Sequence, residues 1–380
     1  SRGRPNWRRV AAAWLGWPGR GAESMDTEAA APLRRYVHET PWPAYSLAWS
    51  PRPEPRCRLA IGSCLEHESN RVQVVELNEE TKSFVPVAEV EHPFPATKLM
   101  WGPCGWGPEC RLDVLASASI TLNLFRLEED GQMKLHAKLA NTRKQQPTGP
   151  EANLRQNGLG HYAPLTSFDW NADNPSCIGT SSVDTTCTIW NIEKQKIETQ
   201  LIAHDKAVYD LNFSQKFLFA SCGADGSVRL FDQRNLEHST IIYETNPVTP
   251  LLRIAWNKIN RHHIATVAMD NVGVTIIDIR RPSIALATLS QYEACVNCAV
   301  WAPHSRNHLL CGTQDGQALI WDVKEVTSAP PAEGADAGRQ RATPLFAYGA
   351  SQELYQAQWS STQPEWVALS SATQVEVMQI

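Results

Sequence analysis

Apolar residues along the chain gather into short, nearly continuous runs, each closed by a Gly, Asp, Asn or Ser turn, and the runs come in sets. Each set opens on a run ending in an aromatic anchor, and the anchors are Trp49, Trp101, Trp170, Phe213, Trp256, Trp301 and Trp359. A second run follows each anchor: Leu59–Ser63, Val114–Ser119, Cys177–Ser182, Phe217–Gly223, His263–Ala268, Leu309–Thr313 and Trp366–Ser371. A third run follows each turn: Val72–Leu77, Leu122–Leu127, Thr188–Ile192, Val228–Asp232, Val274–Ile279, Ala318–Val323 and Val375–Ile380. Their length and their Val, Ile, Leu and Phe content predict β-strands. Their lack of strict alternation predicts strands buried on both faces.

The anchors lie 52, 69, 43, 43, 45 and 58 residues apart. Three of these spacings match the ~40–45-residue period of a four-stranded WD40 blade. The expected fold is therefore all-β: a seven-bladed WD40 β-propeller over 33–380, with loop insertions at 141–161 and 325–341. Both insertions are polar or low in complexity, and neither holds enough apolar surface to offset the entropy of ordering. The last unit ends on its third strand at Ile380. The strand-like segment Arg34–Glu39 is expected to supply its missing outer strand, closing the ring and removing an exposed edge. Residues 1–32 form a separate extension. Its first 24 residues carry five Arg and no acid before Glu23, and Val10–Trp17 is apolar. A targeting peptide is one reading. The Ser start, and Met25 followed by an acidic, Ala-rich stretch, favour translated upstream sequence or a disordered extension.

Composition narrows the function. The 380 residues carry a net charge of −5 and 42% hydrophobic residues. An acidic balance without clustered cations argues against nucleic acid as a partner, and no apolar stretch is long enough for a membrane helix. Ten Cys lie mostly in strand-like runs, such as Cys177, Cys187, Cys222 and Cys311. They read as small core residues of a protein in a reducing compartment, cytoplasm or nucleus. Cys295 and Cys298 form a C-x-x-C, but a spacing of three within a predicted strand points the thiols to opposite faces. His262-His263 reads as loop or core. Phosphate-cradling glycine motifs are absent. No converging acids or metal ligands can be picked out for the central channel, so no cofactor and no enzymatic activity are expected.

The turns carry the remaining signals. Asp225-Gly226 and Asp315-Gly316 suit tight turns that need a positive φ. Asp184, Asp225 and Asp315 each stand six residues before Trp190, Phe231 and Trp321, and Asp270 has the same offset to Ile276. His204, Ser221 and Asp225 match the hydrogen-bonded network of a WD repeat, with Phe231 replacing the usual Trp and so removing a donor. A catalytic triad would use the same residue types. The recurrence of the Asp at one offset in several units favours a repeated structural turn. Polar residues on the second-to-third-strand turns and the adjoining loops, namely Asp184, Thr185, Asp205, Lys206, Asn271, Glu293 and Gln314, are candidates for a partner-binding face.

Several segments are distinctive beyond the period: SSVDTTCTIWNIE (181–193), TQLIAHDKAVYDLNFS (199–214), GADGSVRLFDQRNLEHSTIIYE (223–244), PLLRIAWNK (250–258), WAPHS (301–305), QALIWDV (317–323) and QWSSTQPEWVAL (358–369). TKLMW (97–101) and APLTSFDW (163–170) fit with them. From about Tyr36 to Ile380 the chain resembles the WD-repeat scaffold family of the plant regulator Transparent Testa Glabra and its animal counterpart, which binds DYRK-type kinases. The resemblance implies a non-catalytic, monomeric scaffold. In plants it would assemble Myb and basic helix-loop-helix transcription factors in developmental regulation, and in animals it would join kinases to their clients. It also implies an alternative, a substrate receptor of a cullin-4 RING ubiquitin ligase. The adaptor contact of such receptors resembles an aromatic-Asp-x-Arg box at the end of a third strand. Phe231-Asp232-Gln233-Arg234 matches that box and Ile277-Asp278-Ile279-Arg280 matches it in part; ordinary strand-end turn chemistry would use the same residues.

Overall fold

The computed structural model describes residues 34–53, 57–66, 68–103, 113–128, 130–140, 163–290, 292–324 and 343–380. The extension 1–32 and the insertions 141–161 and 325–341 lie outside them. The described chain forms seven four-stranded antiparallel sheets. Blade 1 holds β2 (Ala44–Trp49), β3 (Arg58–Ser63), β4 (Asn70–Asn78) and β5 (Ser83–His92). Blade 2 holds β6 (Lys98–Trp101), β7 (Asp113–Ala118), β8 (Leu122–Leu127) and β9 (Met133–Leu139). Blade 3 holds β10 (Leu165–Trp170), β11 (Cys177–Ser182), β12 (Thr186–Asn191) and β13 (Lys196–Ile202). Blade 4 holds β14 (Val208–Phe213), β15 (Leu218–Gly223), β16 (Ser227–Asp232) and β17 (Asn235–Glu244). Blade 5 holds β18 (Leu251–Trp256), β19 (His263–Ala268), β20 (Val274–Asp278) and β21 (Ala285–Leu289). Blade 6 holds β22 (Val296–Trp301), β23 (His308–Thr313), β24 (Gln317–Asp322) and β25 (Pro344–Gly349). Blade 7 is β26 (Leu354–Trp359), β27 (Trp366–Ser371) and β28 (Gln374–Gln379), completed by β1 (Arg35–Glu39).

Burial follows the layer order. In blade 3 every residue of β11 and β12 is buried, whereas the outer β13 is mostly exposed or half-buried. Middle strands are sandwiched between neighbouring blades, so both their faces are buried, and the polar side chains they carry, such as Thr180 and Ser221, are hydrogen-bonded inside. Outer strands cover only their own blade, which is why their sequences alternate and stand out less. Seven apolar clusters fill the seven seams between blades. The seam between blades 7 and 1 is packed like the others, with Leu47, Leu59 and Ile61 against Ala368, Val375 and Val377.

Closure occurs as the sequence predicts: β1 pairs antiparallel with β28, Arg35 opposite Met378 and Glu39 opposite Gln374. A buried carboxylate pins the joint. Glu376, 1% exposed in its side chain, accepts from Arg35 Nε at 2.9 Å and from Tyr348 Oη of blade 6 at 2.5 Å. Gln374 Nε2 donates to its other oxygen at 2.9 Å. Burial, followed by the Glu376 carboxylate, drives the Tyr348 phenol pKa up, so it stays a donor.

The inner strands would otherwise present bare backbone edges to the axial channel. Side chains of neighbouring blades cap them. Asp169 Oδ2 accepts from Phe213 N at 2.7 Å, Asp210 Oδ2 from Ile254 N at 3.0 Å, and Asn212 Oδ1 from Trp256 N at 3.1 Å. Gln356 and Gln358 do the same for Leu47 N and Trp49 N at 3.1 and 2.8 Å, across the closing seam. Anchor indoles cap carbonyls in the opposite sense: Trp101, Trp301 and Trp359 donate to Ala48, Ala255 and Val300 of the preceding blade at 3.2, 3.0 and 3.2 Å. Acids therefore do converge on the channel, contrary to the sequence reading. Asp169 and Asp210 line it together with Lys98, Arg253 and Lys258. Their role requires a neighbour 44 residues away, which no local motif displays. Lys258 Nζ lies 3.1 Å from Asp169, and Asp210 Oδ1 also accepts from Ser167 Oγ at 2.5 Å. These oxygens are spent on donors within the ring. Among the described residues no group of three or more His, Cys, Asp or Glu could hold a metal ion.

Two sequence readings need correction. Cys295 precedes β22 rather than lying in it, so the strand-face argument does not apply to the pair. Cys298 alone is in the strand, buried, and burial pushes its thiol pKa up to about 11. Asp270 is not equivalent to Asp225. Ile277, not Ile276, pairs with Ile264 in the place where Phe231 pairs with Phe219. The fifth turn carries one extra residue, and Asp270 itself adopts the left-handed φ of 53°. Deleting residues 35–39 should lower the thermal midpoint by at least about 5 °C and produce concentration-dependent association through the bared β28 edge. An unchanged midpoint with a monomeric elution profile would contradict closure by β1.

Candidate functional site: two opposed binding rims

The antiparallel meander sends two kinds of loop to each end of the ring. Second-to-third-strand turns and blade-to-blade connections share one end, here the upper rim. First-to-second and third-to-fourth turns share the other, the lower rim.

On the upper rim of blade 4, His204 Nε2 lies 2.7 Å from Ser221 Oγ, and its Nδ1 lies 2.9 and 3.0 Å from the two Asp225 oxygens. Ser227 donates to Asp225 Oδ1 from N at 3.1 Å and from Oγ at 2.9 Å. Arg229 Nη2 bridges Asp225 at 3.0 Å and Asp205 at 2.6 Å. Burial alone would raise the Asp225 pKa. The His204 and Ser227 hydrogen bonds outweigh it and hold the carboxyl well below the ordinary carboxylate range. The atoms have the connectivity of a Ser-His-Asp triad, yet Ser221 is 0% and His204 1% exposed. A serine sealed between strands cannot reach a substrate, so the network clamps the entry of β14 against the β15–β16 turn. Gly226 and Gly316 occupy the turns with φ of 76° and 83°, as expected; Thr185 takes the same slot in blade 3 at φ 73°.

Two related clusters escape a sequence search. In blade 6, Tyr292 stands where His204 stands in blade 4, four residues ahead of the first strand, and Cys311 replaces Ser221. Tyr292 and Trp321 pack with ring centroids 5.5 Å apart. Among the described residues no well-formed hydrogen bond reaches Tyr292 Oη or Trp321 Nε1, although Cys311 and Trp321 lie beside the phenol, and burial drives the phenol pKa up. Asp315 accepts from Thr313 Oγ1 within its own turn. By contrast, Trp190 Nε1 of blade 3 donates to Thr180 Oγ1 at 2.9 Å. At the blade 2 turn, His92, the last residue of β5 in blade 1, contacts Ser117 Oγ at 2.9 Å and Asn123 Nδ2 at 3.1 Å. Its spacing to the next strand differs from that of His204, which hid it. The recurring signal is a ring-bearing residue a few positions ahead of a first strand.

The nominated partner-face residues divide by what they touch. Asp184 accepts from Thr186 N at 3.1 Å and from Thr186 Oγ1 at 2.6 Å, and the Thr185 carbonyl accepts from Ala203 N at 2.9 Å. Both belong to the frame of the turn. Asp205, Lys206, Asn271, Glu293 and Gln314 are exposed at the surface of the same rim.

The lower rim carries the Asp-x-Arg boxes, and both fold into the same fork. Arg234 donates from N to Asp232 Oδ1 at 3.0 Å, from Nε at 2.9 Å and from Nη2 to Oδ2 at 2.5 Å. Arg280 repeats this on Asp278 at 2.9, 2.9 and 2.6 Å. The Arg234 bonds hold the Asp232 carboxyl down at about 2. Burial opposes the same effect at Asp278, where the Arg280 bonds still win. The fork fixes each guanidinium while leaving it 69% and 61% exposed. Beside Arg234, the exposed Phe217 ring lies 5.8 Å from its Cζ. Blade 6 carries Asp322 and Lys324 in the same register, with Lys324 N on Asp322 Oδ1 at 2.9 Å; lysine gives the turn but has no bidentate fork.

A closed ring of seven such blades, sealed turn networks and exposed rims define a WD40-repeat propeller. The family model "WD domain, G-beta repeat" matches residues 153–191, 195–232 and 284–322, the repeats that end in Trp190, Phe231 and Trp321 with the Asp six residues ahead. The chain is 45% identical over 349 residues to the DDB1- and CUL4-associated factor 7 homolog of Dictyostelium discoideum, covering 91% of this chain and 99% of that one. It is 35% identical over 319 residues to an uncharacterized WD repeat-containing protein of Schizosaccharomyces pombe, covering 78% and 71%. It is 34% identical over 309 residues to a WD repeat-containing protein of Saccharomyces cerevisiae, covering 75% and 57%. The chain belongs to the WD-repeat family of the DDB1- and CUL4-associated factor 7 homolog, and it is a non-catalytic, protein-binding propeller.

His204→Ala should lower stability by about 1–3 kcal/mol, because buried Ser221 loses its partner. The depressed Asp225 pKa makes its contribution full above about pH 4, the ordinary range. That contribution is lost as acid brings the pH down toward the folded value. Asp225→Asn should therefore flatten the acid limb of chemical-denaturation stability below about pH 4; an unaltered limb would contradict the network.

Proposed function

We propose that this propeller is a substrate receptor of a cullin-4 RING ubiquitin ligase, holding the ligase adaptor on its lower rim and presenting clients on its upper rim. The printed name of the Dictyostelium discoideum relative couples it to DDB1 and CUL4, and that association is extended here to this chain. The observation that carries the reading is the pair of Asp-x-Arg forks on adjacent blades, Asp232 with Arg234 and Asp278 with Arg280. A guanidinium already held by its own carboxylate loses little conformational freedom on docking and still offers free donors. Phe217 and Ile259, both exposed on the same rim, add the apolar surface that arginine hot spots accompany.

The resemblance to the plant and animal scaffolds supplies the clients of this proposal: Myb and basic helix-loop-helix factors, or DYRK-type kinases with their substrates. Co-binding on a rigid ring raises their effective concentration without chemistry by the ring. The proposal has a monomeric propeller acting in cytoplasm and nucleus, consistent with Cys187, Cys222, Cys298 and Cys311 as thiols buried in the core.

Replacing Arg234 and Arg280 together by Ala should weaken binding of purified DDB1 at least tenfold, as for loss of central arginines. Arg234→Ala alone, whose partner Asp232 is half-exposed, should keep the wild-type thermal midpoint and lose part of the affinity. Undiminished DDB1 affinity in the double variant would overturn the adaptor contact.

A further inference from the structure

Exposed aliphatic side chains concentrate on one arc of the upper rim. Ile202 and Val248 are 70% and 67% exposed, and Val183 and Val272 are each 43% exposed. They sit on consecutive loops. The blade 3 turn is hydrogen-bonded to the connection that follows Ile202, through the Thr185 carbonyl and Ala203 N. Val248 packs over the blade 4 turn, its methyl 3.2 Å from the place a Cβ on Gly226 would take. Val272 belongs to the blade 5 turn, whose Asn271 carbonyl accepts from Val296 N of blade 6. Single exposed aliphatics need no explanation, but a run of them along one arc marks a contact surface.

Charge along this arc is mainly acidic. Asp205, Asp270 and Glu293 are exposed, and Asp184 is half-exposed. Of the described cations there, Arg229 is already held by Asp205 and Asp225, which leaves Lys206. Such a surface repels phosphate backbones and anionic membranes, and attracts cations within about 8 Å at physiological salt.

We propose that the upper rim of blades 3 to 6 binds a basic peptide segment of its protein clients, with Lys or Arg side chains against Asp205 and Glu293 and aliphatic side chains between them on Ile202 and Val248. The proposal takes the client rim from the receptor reading above and adds the chemistry of the occupant. It needs nothing from the adaptor forks.

The test is selection of a displayed library of random peptides of about twelve residues, roughly 40 Å when extended, on the full chain, with DDB1 binding measured in parallel. Enriched peptides should combine Lys or Arg with Leu, Ile or Val. Synthetic copies should bind more weakly as salt rises, lose about tenfold on Asp205→Lys with Glu293→Lys, and lose affinity on Ile202→Ser with Val248→Ser. Arg234→Ala with Arg280→Ala should leave peptide binding unchanged. Failure to enrich, enrichment of neutral or acidic peptides, or equal binding to the charge-reversed chain would overturn the proposal. Failure of the unsubstituted chain to bind DDB1, with peptide binding as expected, would instead count against the receptor reading.

Discussion

Each blade ends, at the axis, in a strand with one unpaired edge, and the whole ring depends on how those edges are covered. The neighbouring blade covers them from both sides. Carboxylates and amides of one first strand accept the backbone N–H groups of the next, as Asp210 does for Ile254 and Gln358 for Trp49. Anchor indoles return the contact to the preceding blade's carbonyls, as Trp301 does to Ala255. A buried backbone group left without a partner costs about 1–3 kcal/mol, so no blade can leave its place without exposing two others. Asp210 concentrates this dependence: its two oxygens serve Ser167 of blade 3, Leu211 of its own strand and Ile254 of blade 5.

Rigidity at the axis is what lets the rims specialise. Loops mounted on a stapled ring keep their spacing when a partner docks, so little ordering entropy is spent on binding. The two rims differ chemically because they are built from different turns. The upper turns are closed by acidic caps, Asp184, Asp225 and Asp315, and their outward neighbours are acidic too. The lower turns close third strands with Asp-x-Arg forks that leave fixed cations in solvent. The two rims therefore present unlike surfaces, exposed acids on the upper and Asp-paired guanidiniums on the lower.

The seven aromatic anchors and the apolar runs made the blade count and ring closure legible, because burial on two faces writes itself locally. The Asp-x-Arg boxes were singled out through the family resemblance, and their closing into local forks, donor and acceptor two residues apart, is what the structure adds. Asp169 and Asp210 were not legible, because their partners lie 44 residues downstream and only the folded ring places them together. Tyr292 and Cys311 were hidden by chemistry: they keep the places of His204 and Ser221 with side chains of another type, and Tyr292 packs on Trp321. Asp270 misled because one added turn residue shifts its register without disturbing its distance to an isoleucine.

Hydrogen exchange of Asp210→Ala, compared with the parent chain, tests the stapled ring most directly. Loss of the shared acceptor should speed exchange in Leu251–Trp256 of blade 5 and Leu165–Trp170 of blade 3 as well as in Val208–Phe213 itself. Acceleration confined to Val208–Phe213, with both neighbouring first strands protected as before, would contradict it.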